Sequence, residues 1–187
     1  MKAFKHILLM TAVAGSLFFS SCADDKPTTT TTTPTTGRIV GKLNGASWTS
    51  DAENKFYVTG EGDTLVGTVA SLSNGELAIQ GNRVVGADTS AIAISLVLTP
   101  AKTGKYEGTF DISAADGALY LPNRNITTLL SIVMGGYINT YSVTLTKVDA
   151  ANRKVSGVFT INMKAPAGAG QPDYIITDGS FTDLTLN

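Results

Sequence analysis

The sequence predicts an all-β fold, an antiparallel β-sandwich or a partly closed barrel of about nine or ten strands. Three observations carry that expectation. From residue 37 onward the apolar residues recur with period two. Glycine-bearing turn signals separate the runs, and no convincing helical stretch of more than ten residues appears after residue 21. The 151 residues from Gly37 to Asn187 suffice for one domain with its own core.

The first run, Gly41 to Trp48, places Trp48 at the end of an opening strand, where a core plug is the expected role. Asn74-Gly75 separates Leu65–Leu72 from Leu77–Gly81, the strongest short signal for a hairpin. Ile92, Ile94, Leu96 and Leu98 share a face, and Ala91, Ala93 and Val97 are apolar too. That strand reads as central and covered on both sides. In Lys105–Ile112, Tyr106, Gly108, Phe110 and Ile112 point one way and Lys105, Glu107, Thr109 and Asp111 the other. Ile126–Met134 leans towards strand because of Ile126, Ile132 and Val133, and Gly135-Gly136 ends it. Tyr141, Val143 and Leu145 alternate with hydroxyl residues. After the turn Asp149-Ala150-Ala151-Asn152, residues Val155, Gly157, Phe159, Ile161 and Met163 repeat the inward face. Ala165–Pro172 is Gly, Ala and Pro and reads as a loop. Asp178-Gly179 is a turn or a bulge inside a last strand from Tyr174 to Leu186.

The chain ahead of the domain has a different character. Lys2 and Lys5 precede an apolar run from Ile7 to Phe19, followed by Ser20-Ser21-Cys22. A basic start, a short apolar stretch and small residues form a secretory signal. Its 13 apolar-run residues are too few to span a bilayer, which takes about 20. The only cysteine, Cys22, directly after small residues resembles the lipobox of bacterial lipoproteins, although Phe19 stands where that family usually has Leu. The resemblance implies cleavage before Cys22 and acylation of its sulfur and new amino group. The bilayer is then the first partner, held through acyl chains worth roughly 0.8 kcal/mol per buried methylene. Ala23-Asp24-Asp25-Lys26 resembles the surface-export signal of Bacteroidota-type lipoproteins, which implies an outer-membrane location facing outward. Pro27 to Thr36 contains only proline and threonine and cannot pack a core. The 14 residues from Ala23 to Thr36, if extended, reach about 43 Å. The expected organisation is therefore 1–21 signal, 22–36 lipidated cysteine and linker, and 37–187 one β domain.

Composition removes several function classes. Loss of residues 1–21 takes Lys2 and Lys5, leaving 12 basic residues against 15 acidic ones, a formal charge of −3. That argues against a nucleic-acid partner. The only histidine, His6, leaves as well. A Ser-His-Asp or Cys-His site is then impossible, and so is a zinc site built on Cys or His. No cofactor motif is present: Gly60-Glu61-Gly62 and Gly135-Gly136 lack the Gly-Lys-Ser/Thr of a phosphate loop. Asp51-Ala52-Glu53-Asn54 is too short to supply the oxygens of a calcium site. Carboxylate catalysis needs two acids across a cleft, and the acids here fall on outward strand positions or in turns. The sequence points to no enzyme.

The expected role is a non-catalytic binding or display domain for a glycan or a protein partner. The candidate ligand contacts are Trp48, Tyr120 and Arg124. Trp48 is the only tryptophan, and Leu119–Asn125 brings an aromatic, an arginine and two amides into one connection. A stacking role requires Trp48 or Tyr120 to be exposed. Across the domain, Gly41–Trp48, Leu77–Gly81, Gly104-Lys105-Tyr106, Val155–Phe159 and Ile176–Phe181 resemble a family of small Bacteroidota lipoproteins whose all-β domain has no assigned activity. A second resemblance is to calycin barrels, which place Gly-x-Trp on the first strand; here the spacing is Gly45-x-x-Trp48. It implies the alternative role, a barrel that carries, or inhibits through, a small apolar ligand.

Overall fold

The computed structural model describes residues 36–58, 64–86, 88–98, 102–110, 116–123, 132 and 136–187. The signal, Cys22 and the linker up to residue 35 lie outside the described residues, as do Arg124 and Gly60–Gly62. Of the run Ile126–Met134 only Ile132 is described, and it is buried with helical backbone rather than in a strand.

Twelve strands are present among the described residues: β1 Ile39–Leu43, β2 Ala46–Thr49, β3 Phe56–Val58, β4 Thr64–Val66, β5 Thr68–Ser73, β6 Glu76–Val85, β7 Asp88–Val97, β8 Gly104–Thr109, β9 Gly117–Leu121, β10 Ile138–Asp149, β11 Lys154–Lys164 and β12 Tyr174–Thr185. A six-stranded sheet runs β2-β1-β12-β11-β10-β8, a four-stranded sheet runs β5-β6-β7-β9, and β3-β4 is a separate hairpin. All named pairings are antiparallel. The two sheets do not close into a barrel; they face one another as a sandwich.

Period two decides which side chains enter the core. Along β11, Val155, Gly157, Phe159, Ile161 and Met163 are buried, and Val158, Thr160 and Lys164 are exposed. On β10, Asn139, Tyr141, Val143 and Leu145 face in. The opposing sheet supplies Leu77, Ile79, Ile92, Ile94 and Leu96, and all of these belong to one apolar cluster. β7 is central in its sheet, as expected. Its second face is covered at the Ala91 end, while Val97 at the other end is exposed.

Two expectations need correction, and one open alternative is decided. The opening segment is not one strand. Asn44 and Gly45 both have positive φ, the geometry of a two-residue hairpin turn, so Trp48 lies on β2 and not on the first strand. The strand count exceeds nine or ten because β2, β3 and β4 are too short to show a period. Asp178-Gly179 proves to be a bulge: Asp178 has φ 52° and the β11–β12 register shifts beside it. Asn74-Gly75 closes the β5–β6 hairpin as predicted, with φ values of 52° and 77°.

The sheets cross rather than align. β9 meets β10 through Ala118 and Asn139, then β11 through Tyr120 and Met163, then β12 and β2 through Tyr120, Tyr174 and Trp48. It therefore runs across the ends of the six-stranded sheet. At the opposite end, Leu186 pairs with Ala70 of β5, and the Asn187 N–H donates to the Ala70 carbonyl at 2.9 Å. The chain enters at this second end, where the Gly37 N–H donates to the Thr182 carbonyl.

Candidate functional site

The end of the sandwich away from the chain's entry holds four aromatic side chains in series. Trp48 and Tyr120 meet edge-to-face, with centroids 6.5 Å apart and planes at 88°. Tyr120 and Tyr174 are 5.3 Å apart, and Tyr174 stacks on Tyr137 at 6.1 Å and 22°. The series climbs from the core to a half-buried rim: Trp48 is 1 % exposed and Tyr120 is 5 %, whereas Tyr174 and Tyr137 are half-buried. The polar edges are satisfied. The Trp48 Nε1–H donates to the Ser90 hydroxyl at 3.1 Å, and the Tyr137 hydroxyl donates to the Pro172 carbonyl at 3.1 Å.

The β1–β2 turn locks the rim. The Asn44 side chain donates to the Asp173 carbonyl at 2.9 Å and accepts from the Ile175 N–H at 2.8 Å. The Asp173 carboxylate accepts from the Ala165 N–H at 2.9 Å. The loop between β11 and β12 is thus fastened at both ends, while Gly168 and Gly170 face open space.

Arg83, on β6, lies beside Ser90 of β7. On β6 it follows Leu77, Ile79 and Gly81 in phase, which puts it on the inward face, opposite Ser90 in the ladder. It is half-buried. Tyr120 lies within its field. Burial pushes the Tyr120 hydroxyl above the usual phenol value; the Ser90 bond and Arg83 pull it back, and Tyr174 adds to the rise. Burial likewise raises Tyr174 and Tyr137.

The structure therefore brings Trp48 and Tyr120 together, but as the floor of the corner. Neither offers the exposed ring face that stacking on a sugar requires, so the expected platform is corrected on that point: both rings are used up in packing. Arg124 lies outside the described residues. The arginine the fold sets near Tyr120 is Arg83. Sequence reasoning passed over it, although continuing the period from Leu77 through Gly81 would have reached it.

Three acidic residues among the described ones are engaged structurally. Glu53 accepts from the Thr185 N–H at 2.5 Å and from its hydroxyl at 3.1 Å. Asp183 pairs with Lys147 at 2.9 Å and accepts from Ser156, and the Lys147 bond is the main reason its carboxyl sits below the usual range. Asp51 accepts from the Val84 N–H at 2.9 Å and pairs with Lys55 at 3.0 Å. Burial pushes the Asp51 carboxyl up, but the Val84 and Lys55 bonds help hold it below the usual value. Among the described residues no group of three metal-ligating side chains converges. No known family, curated protein or solved structure matches the chain.

Proposed function

We propose that this protein is a lipid-anchored, non-catalytic binding module of the Bacteroidota lipoprotein type, displayed at the outer-membrane surface, that meets its partner with the aromatic corner. The observation that carries the reading is the polarity of the domain. The linker joins at Gly37, bonded to Thr182, and Tyr174 lies eight residues back along β12, roughly 26 Å of strand away. A partner approaching from outside meets Tyr137 and Tyr174 first, and the anchored end stays behind. The corner offers aromatic surface and hydroxyls, which suit recognition, and it holds no histidine or thiol to act as base or nucleophile. The open sheets give no support to the barrel-carrier alternative.

Two measurements test the anchoring. Cys22→Ala should move the protein from the membrane fraction to the soluble one and abolish incorporation of labelled fatty acid. Equal labelling of wild type and variant would refute lipidation. Replacing Asp24 and Asp25 by alanine should leave membrane content unchanged but reduce cleavage when intact cells are shaved with protease. Equal cleavage would remove outward display.

A further inference from the structure

We infer that β8 is a self-complementary sheet edge through which two copies of this chain pair, continuing the six-stranded sheet across a two-fold axis. The inference goes beyond the binding-module reading and does not rest on it. β8 ends that sheet, with β10 on its paired side. Lys105, Glu107, Gly108 and Thr109 are exposed, and an exposed glycine presents main chain. Such an edge accepts a further strand through its outward N–H and C=O groups. The phase of the ladder says which groups those are. The Phe110 N–H donates to the Asn139 carbonyl at 2.8 Å, so Gly108 and Tyr106, two and four residues back, spend their main-chain groups on β10. The N–H and C=O of Lys105, Glu107 and Thr109 therefore point away from β10.

The order of residues along the edge selects the partner. Gly104-Lys105-Tyr106-Glu107-Gly108 is symmetric about Tyr106 except for the sign of its charges. An antiparallel pair centred on Tyr106 sets Lys105 of each copy opposite Glu107 of the other. Those two residues then exchange main-chain bonds, and the two Tyr106 side chains meet at the closer, non-bonded position between them. Lys105 and Glu107 share the outward face and pair at 2.5 Å within one strand, so a second copy continues an alternation of charge already present. Charge on an edge ordinarily repels other strands. Opposite signs placed symmetrically reject a foreign strand and admit this one. β2, the other edge of the sheet, is four residues long, and its Trp48 is turned into the core and bonded to Ser90. The axis reverses one domain, so the two linkers leave at opposite ends of the pair.

The test uses the full chain in density-matched detergent, where sedimentation equilibrium reads the mass of the protein and no bilayer constrains the arrangement. The wild type should pass from monomer to dimer as its concentration rises. Glu107→Lys sets lysine opposite lysine, and Lys105→Glu sets glutamate opposite glutamate. Each should weaken pairing at least about tenfold, since like charges directly opposite oppose strand pairing. An equimolar mixture of the two variants should pair about as tightly as the wild type, and so should the double exchange Lys105→Glu with Glu107→Lys. Recovery on mixing separates lost complementarity from a damaged fold, which mixing cannot repair. A wild type that stays monomeric, single variants that pair as tightly as the wild type, or a mixture that stays monomeric overturns the inference. The binding-module reading fails separately, through the fractionation and shaving outcomes above.

Discussion

The two ends of the sandwich are sealed by different chemistry. At the end where the chain enters, main-chain bonds are joined by charged side chains: Leu186 pairs with Ala70, the Asn187 N–H donates to the Ala70 carbonyl, the Arg153 side chain donates to the Leu186 carbonyl at 2.7 Å, and Glu53 fastens Thr185. At the far end the seal is side chain. The Asn139 amide donates to the Ala118 carbonyl at 2.8 Å, and the Tyr120 N–H donates to the Met163 sulfur at 3.2 Å. Thioether sulfur is a weak acceptor. The Asn139 side-chain Oδ1, although buried, has no hydrogen-bond partner among the described residues. The end where the chain enters is thus closed by several bonds, and the opposite end retains unspent polar capacity at Asn139. A domain that binds at its far end gains from that division, because local opening there leaves the anchored half untouched.

Three substitutions set the scale of the contrast. Phe159 sits in the core that both ends share, 3 % exposed. Phe159→Ala should cost about 3–5 kcal/mol in denaturant unfolding. A loss below about 1 kcal/mol would mean that the β11 register is wrong. Leu186→Ala at the anchored end should cost about 2–3 kcal/mol, the lower part of the range for buried leucine. Asn139→Ala at the far end should cost about 1–2 kcal/mol, because the Ala118 carbonyl loses its donor while the orphaned amide oxygen disappears with the side chain. If Asn139→Ala proved costlier than Leu186→Ala, the idea of a weaker far seal would collapse.

How much of this was visible in the chain follows from element length. β10 and β11 run 12 and 11 residues, long enough for period two to show, and their buried faces match the alternation read from sequence. The Asn74-Gly75 and Asp178-Gly179 signals worked because positive φ selects Asn, Asp and Gly. β2 and β3, of four and three residues, gave no period, so Trp48 was placed on the wrong strand. The site was legible in its components but not in its arrangement. Trp48 and Tyr120 were singled out, yet their contact across 72 positions of sequence depends on the crossing of two sheets. No local pattern encodes that crossing.

Acid should separate the two ends. Asp183, near the anchored seal, and Asp51, which ties the chain after β2 to β6, have lowered carboxyl values. A group whose folded pKa is depressed stabilises the fold above its unfolded value, and that contribution is lost as pH falls through the folded one. Stability should therefore hold from neutrality down to about pH 4 and decline below it, where free aspartate titrates. Asp51→Asn should flatten the decline. The far seal, an amide and a thioether, has nothing to titrate, so amide exchange at Tyr120 should not be selectively promoted by acid. Urea midpoints measured from pH 7 to pH 3 check the first point, and an unchanged midpoint would show that these bonds contribute nothing net.

The smallest expected effect is the most local. Met163 is fully buried, and its sulfur accepts from the Tyr120 N–H. Met163→Leu keeps the volume and removes the acceptor, so stability should fall by less than about 1.5 kcal/mol. The Tyr120 amide, having lost the sulfur, should exchange faster with solvent deuterium, while amides in the β10–β11 ladder keep their protection. The same variant should shift Trp48 emission slightly, because Tyr120 packs against the indole. Were Tyr120 exchange to stay at the wild-type rate, the sulfur would not be holding that N–H. The far end would then be as firmly sealed as the anchored one, and the division of labour between them would lose its physical basis.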